Sequence, residues 1–158
     1  MRGTQSSLAT ALLTPEINVL WFGFLLNYPW EFIQAPLFEG MAAQPHWQGV
    51  KICTQAAIGD AVILLMAYWG VALAHRHRGW ITVFRWRTTG LFLLIGLSVT
   101  ICIEALAVRG WWLESWNYAV SMPVIPGLRV GLLPVLQWVM LPPVVVAMVG
   151  RQIRGGLR

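Results

Sequence analysis

A chain of 158 residues that is 58% hydrophobic and 11% charged, with ten tryptophans and a mean hydropathy of +0.65, carries more apolar surface than a soluble domain of this size can hide. The formal net charge of +5 raises the question of nucleic acid, but the arginines lie beside apolar runs and no nucleic-acid motif accompanies them, so no such partner is expected. No Walker loop, G-x-S-x-G elbow, H-E-x-x-H or dinucleotide fingerprint occurs, which argues against nucleotide hydrolysis, ordinary serine-hydrolase chemistry and cytosolic cofactor chemistry; no cofactor is expected.

Four stretches of about twenty apolar residues follow in chain order, the length that crosses a bilayer as a helix. The first runs from Ile17 to Pro36 and is opened by Thr14-Pro15-Glu16, an N-cap, a proline at the first helical position and a first-turn acid. The second covers Ala56 to Ala74, the third Gly90 to Val108, and the fourth Gly131 to Val149, where Pro134 and the pair Pro142-Pro143 predict a bend. Helices satisfy their own backbone hydrogen bonds in lipid, so the expected fold is all-α: one transmembrane domain over 1–158, an integral membrane four-helix bundle. The segment ahead of the first span lacks a clean small-residue cleavage site and reads as retained.

Orientation follows from the basic residues. Arg2, Arg76, Arg78, Arg85, Arg87, Arg151, Arg154 and Arg158 fall on one side of this layout, and Lys51, Arg109 and Arg129 on the other. Eight against three places both termini in the cytoplasm of a multi-pass cell-membrane protein. Trp111, Trp112 and Trp116, with Trp30 and Trp47, then form an aromatic belt at the outer interface.

Helical rise of about 1.5 Å per residue now sets depth. Glu31, Asp60 and Glu104 come to lie within about 6 to 7 Å of the outer ends of their spans, and Gln137 within about 9 Å. Asn27 and Gln34 share a face with Glu31, and Thr100 lies one turn below Glu104. The inner halves, such as 62–67, 91–97 and 144–149, are almost purely apolar. Ionisable groups at such depth mark functional sites by default, so the layout predicts an acidic chamber opening outward. Carboxyls crowded in a low dielectric cannot all ionise, and a retained proton can be donated to an alkene or epoxide while a neighbour stabilises the cation or removes a proton. Glu31, Asp60 and Glu104 are therefore the catalytic candidates, and Asn27, Trp30, Gln34 and Gln137 the substrate-binding ones. Tyr28, Trp69 and Trp138, together with Trp30, are further candidates to support positive charge, provided they face inward.

The segment Asn27-Tyr28-Pro29-Trp30-Glu31 resembles the Asn-x-x-Trp-Glu segment of membrane-bound terpene cyclases from meroterpenoid and indole-diterpene pathways. That resemblance implies a glutamate proton donor at Glu31, a second acid on another helix and an isoprenoid substrate; the family's span count is about seven, against four here. The four-span layout with membrane acids is also similar in architecture to the sterol isomerase and sigma-2 receptor superfamily.

His75 and His77 sit in an arginine-rich segment that reads as a solvated, phospholipid-facing loop. With no histidine inside a span, bis-histidine haem is not expected. His46 lies on the acidic side near Glu39, in a spacing that matches no metal motif, and no metal is assigned. Cys53 and Cys102 lack C-x-x-C spacing and read as small buried side chains, although their depths permit a disulfide. Gly23, Gly59, Gly70 and Gly96 permit close helix contact. Three functions fit these observations: lipid or isoprenoid isomerisation or cyclisation among membrane lipids, proton- or cation-coupled transport, and a structural accessory subunit. A homo- or hetero-oligomer is compatible with each.

Overall fold

The computed structural model describes residues 13–112 and 115–156. Arg2, Arg158 and most of the amino-terminal segment, all used in the orientation argument, lie outside the described residues. Among the described residues four α-helices carry the fold: α1 (Pro15–Gln34), α2 (His46–His75), α3 (Trp86–Val108) and α4 (Leu132–Gly156). Each packs against its neighbour in sequence, and α4 returns to α1, which closes a ring.

α1 begins as its sequence signals demand, with Thr14 at the N-cap, Pro15 in the first turn and Glu16 behind it. α2 starts ten residues earlier than the apolar run suggests, because the mixed stretch His46–Gln55 is helical although it is too polar to read as a span. It therefore projects about 15 Å further than expected. α4 continues seven residues past Val149, and Pro142 and Pro143 lie inside it without ending it. α1 stops at Gln34, and a 3-10 turn, Ala35–Leu37, follows where the apolar run continues to Pro36.

α2, α3 and α4 are long and apolar enough to cross a membrane. The expected fourth span, α1, falls short on composition, and its buried residues explain why: Asn18, Asn27, Glu31 and Gln34 are all turned into the bundle. A helix that presents a polar face to a protein interior is less apolar overall than one that presents it nowhere. The chain is also not purely helical. Val124–Ile125 and Val130–Gly131 form a two-stranded antiparallel sheet, pairing Val124 with Gly131 and Ile125 with Val130. Positive φ at Gly127 and Arg129 turns the chain between them.

The two ends of the ring differ. One holds the apolar core: Leu64, Tyr68 and Val71 of α2, Phe92 of α3, and Val145, Val146 and Val149 of α4. Into this end the middle of the segment 76–85 folds inward. Its 3-10 turn (Arg78–Thr82) buries Trp80 and Ile81; Trp80 stacks on Tyr68 at 5.8 Å between ring centroids, and the Tyr68 hydroxyl donates to the Arg78 carbonyl at 2.9 Å. Arg78 pairs with Glu16 at 2.6 Å, which raises its guanidinium pKa, and lies over Trp69. His75, Arg76, His77 and Arg78 are exposed, as the solvated reading expects, and the plug is the turn that follows them, with Trp80 and Ile81 buried. Leu13, beside Gly156, places both ends of the described chain at this same end. The opposite end holds the polar side chains and a cavity.

Candidate functional site

Three helices meet at Gln137 of α4. Its amide nitrogen lies 2.7 Å from Oδ1 of Asn27, 2.9 Å from Oε1 of Glu31 and 2.7 Å from Oδ2 of Asp60. Gln34 donates to the same Glu31 oxygen at 2.8 Å and reaches Oε1 of Gln137 at 3.3 Å. Trp30 in turn donates its indole N–H to Gln34 at 3.2 Å. Six of the residues singled out from sequence therefore form one connected network, with Asn27, Glu31 and Gln34 on a single face of α1 because their spacing follows the helical period. Asp60 reaches it from fourteen residues inside α2, so its shared level with Glu31 survives although the helix end lies elsewhere.

Three acceptors surround a nitrogen that carries only two hydrogens. The Glu31 and Asp60 carboxyls also adjoin each other. Gln137 thus holds carboxyls of two different helices against one amide nitrogen.

Glu104 is held differently. It borders the same cavity but accepts from loop residues: the Trp116 indole at 3.1 Å and the Tyr118 hydroxyl through a short contact. Burial, then the adjacent Glu104 carboxyl, pushes the Tyr118 phenol above the ordinary tyrosine range. The loop carrying these residues is fixed by backbone pairing across the cavity mouth, Glu39 N–H to the Asn117 carbonyl and Ala119 N–H to the Leu37 carbonyl, both 2.9 Å. Phe38 packs on Tyr118 at 5.5 Å and on Trp116 at 6.5 Å. Tyr118 did not emerge from sequence reasoning and Trp116 figured there as a belt residue. The available signal was their i, i+2 spacing, which puts both on one side of an extended segment.

The cavity encloses about 500 Å³ and is bounded by all four helices and both rim segments. Glu31, Asp60, Glu104, Gln34 and Gln137 line it, among apolar groups such as Ile52, Ile63, Ile103 and Trp138. This is the size range of pockets for small organic ligands, ~300–1,000 Å³. Gly59 opens onto it with no atom near its absent side chain, so it forms no helix contact there. Gly23 does, against Leu64 and Ala61, and Gly96 faces the Trp138 ring so closely that a Cβ there would clash with its Cζ3.

Not every candidate faces the chamber. Trp30 acts through Gln34 and does not line the cavity; Tyr28 lies between Phe24 and Phe32 along α1, tilted to one and edge-on to the other; Trp69 lies at the packed end under Arg78. Trp138 alone of the four aromatic candidates borders the cavity. Cys53 is buried and contacts the Glu31 carbonyl, whereas Cys102 is exposed; both are free thiols, so the permitted disulfide is not formed and the expectation of burial fails for Cys102. Among the described residues no three His, Cys, Asp or Glu side chains gather as a metal-binding group, and His46 is an exposed residue at the start of α2. Comparisons with protein-family models, curated proteins and solved structures return no match.

Proposed function

We propose that this chain is a multi-pass membrane protein whose polar-end cavity binds an isoprenoid or other lipid and acts on it by acid/base chemistry, as an isomerase or cyclase. The observation that carries the reading is the gathering of Glu31 and Asp60 on the Gln137 amide, in the wall of a cavity of about 500 Å³. One carboxyl of the pair delivers its proton to an alkene carbon or an epoxide oxygen; the resulting cation loses a proton from a neighbouring carbon to a carboxylate, so the protein ends in its starting protonation state. Glu104, steadied by Trp116 and Tyr118, is the second acid across the chamber, and Trp138 offers a π face to the cation.

In this reading α1 is the fourth span. Its buried polar face explains its lower hydropathy, and its outer flank, including Trp21, Leu25 and Ile33, is exposed and apolar. The packed end, which carries most of the arginines and both described chain ends, is cytoplasmic by the positive-inside argument. A cysteine placed at Trp112 is then labelled by an impermeant thiol reagent from outside intact cells; labelling only after permeabilisation overturns the orientation. The apolar core below the cavity, with Leu64, Val71, Phe92 and Val145, also favours a dead-end chamber over a transport path.

The deciding experiment compares membrane lipids from a strain lacking the chain with strains restored by the wild type or by Glu31→Gln. The amide keeps size and an acceptor oxygen for Gln34 and Gln137 but cannot give up a carboxylic proton. The expected result is a Glu31→Gln protein with wild-type folding and the lipid profile of the deletion. A wild-type profile removes the acid role, and loss of folding alone favours polar glue between helices.

A further inference from the structure

Gly59 and Gly70 lie on one face of α2, about three helical turns apart. At Gly70 that face packs on α3, where a Cβ would lie 2.9 Å from Cδ1 of Ile95. At Gly59 it meets nothing: a Cβ there would have no packing neighbour within 4 Å, and Ala56 and Gly59 are both exposed although they border the cavity. Ile103 of α3, about two turns beyond Ile95, borders the same cavity. The two helices thus touch toward the packed end and part toward the chambered end, which leaves the cavity a sideways opening between them.

The surroundings of the gap name what passes through it. Ile58, Val62 and Met66 of α2 and Leu94 of α3 are exposed and apolar, the surface that a membrane-spanning chain turns to hydrocarbon. Ile52 and Ile63, with Ile103, border the cavity beside the gap, and Ala56 and Gly59 bring no polar side chain to it. Gly59 lies about 5 Å inside the second apolar run, below the headgroups. Behind the gap, Glu31, Glu39, Asp60 and Glu104 border the cavity, and among the described residues no lysine, arginine or histidine does. A phosphate headgroup would meet acids there with no cation to answer it, so the end of a lipid that suits this route is its apolar chain.

Resting on the lipid-site reading above, we propose that the gap between α2 and α3 is a side entrance, through which the apolar chain of a lipid in the outer leaflet passes directly from the bilayer into the cavity. Ala56 and Gly59 keep the passage open by their small size. The chain enters first and the polar end trails at the interface. What the Glu31 and Asp60 carboxyls meet is then the far end of the chain, and the substrate never crosses water.

The test uses the full chain in lipid nanodiscs and two photoactivatable farnesol probes, one with a diazirine at the chain end and one with it beside the hydroxyl. Adducts on Glu31, Asp60 or Glu104 report the cavity, and adducts on Leu94 report the bilayer face. The chain-end probe is expected to mark the cavity acids. Loaded nanodiscs are then chased with excess unlabelled farnesol and irradiated at intervals. Gly59→Leu, which favours the helix and meets no neighbour that would unfold it, should lengthen the half-time of the cavity adducts about tenfold and leave that of the Leu94 adducts unchanged. A closed passage slows escape, whereas a cavity merely made smaller holds the probe less well and hastens it. If the leucine variant takes up no probe, Gly59→Ala is chased in its place, with a smaller lengthening expected. An equal or shorter half-time in the variant chased keeps the lipid site and overturns the side entrance. Cavity adducts from the hydroxyl-end probe alone overturn entry by the chain. Marking of Leu94 with no cavity adduct from either probe overturns this inference together with the reading on which it rests.

Discussion

The packed end and the chambered end of this bundle are built from the same four helices, yet they solve opposite problems. At the packed end, Tyr68, Trp80 and Phe92 are in continuous ring contact, Tyr68 stacked on Trp80 at 5.8 Å and Phe92 tilted against Trp80 at 5.5 Å between centroids. At the chambered end the helices leave about 500 Å³ open and hold it with side-chain hydrogen bonds. Stability thus concentrates where no chemistry is available, and the polar groups that cost most to bury collect where the wall is incomplete. A bundle can keep a cavity at one end because the other end is dense enough to fix helix positions.

The comparison is broken most severely by removing the plug. Trp80→Ala deletes the ring between Tyr68 and Phe92 and the N–H donated to the Tyr68 carbonyl at 3.3 Å. The expected loss is about 3–5 kcal/mol, the usual cost of truncating a buried tryptophan. Unfolding in mixed detergent measures it. A loss no larger than that of Glu31→Gln would mean that the two ends do not divide the work in this way.

Much of the chambered end was legible in the sequence, and little of the plug. Glu31, Asp60 and Gln137 could be placed at one level because helical rise is regular and polar residues in apolar runs are conspicuous. The start of α2 was illegible because His46–Gln55 mixes Trp, Lys, Gln and Gly, so hydropathy ends where the helix does not. Trp80 and Ile81 are apolar residues in an arginine-rich segment, and composition there describes the rim of the segment but not its buried turn. Tyr118 lies in an extended loop with no period to betray a face; its contact with Glu104 depends on pairing with 37–39, a long-range event.

The next effect sharpens the comparison at the boundary between the two ends. Gly96 lets α3 approach the Trp138 ring, and a Cβ there would clash with Cζ3 and lie 2.6 Å from Cε3. Gly96→Ala therefore moves the ring, at a cost of about 1–3 kcal/mol for overpacking. The ring can yield only by shifting the cavity wall it forms. The unfolding midpoint should fall, and retention of a lipid probe by the cavity should fall with it. A midpoint and lipid-probe retention equal to wild type would show that the contact between α3 and α4 is looser than the geometry implies.

The smallest effect concerns the rim that closes the chamber. Burial and the neighbouring Glu104 carboxyl raise the Tyr118 phenol above its unfolded value, near 10 for a free tyrosine. A raised value means that the folded chain prefers the protonated phenol. Its contribution to stability is complete below about pH 10 and is lost as pH rises through the folded range, where the unfolded chain already releases the proton. Ultraviolet difference spectra between wild type and Tyr118→Phe should accordingly show no phenolate from this residue at about pH 10. In a Glu104→Gln protein the phenolate should emerge at lower pH than in wild type, since the adjacent carboxyl is gone while burial remains. A phenolate from Tyr118 at the ordinary pH in the wild type would mean that the pairing of 37–39 with 117–119 does not hold the rim shut, and that Glu104 faces water instead of a protected chamber.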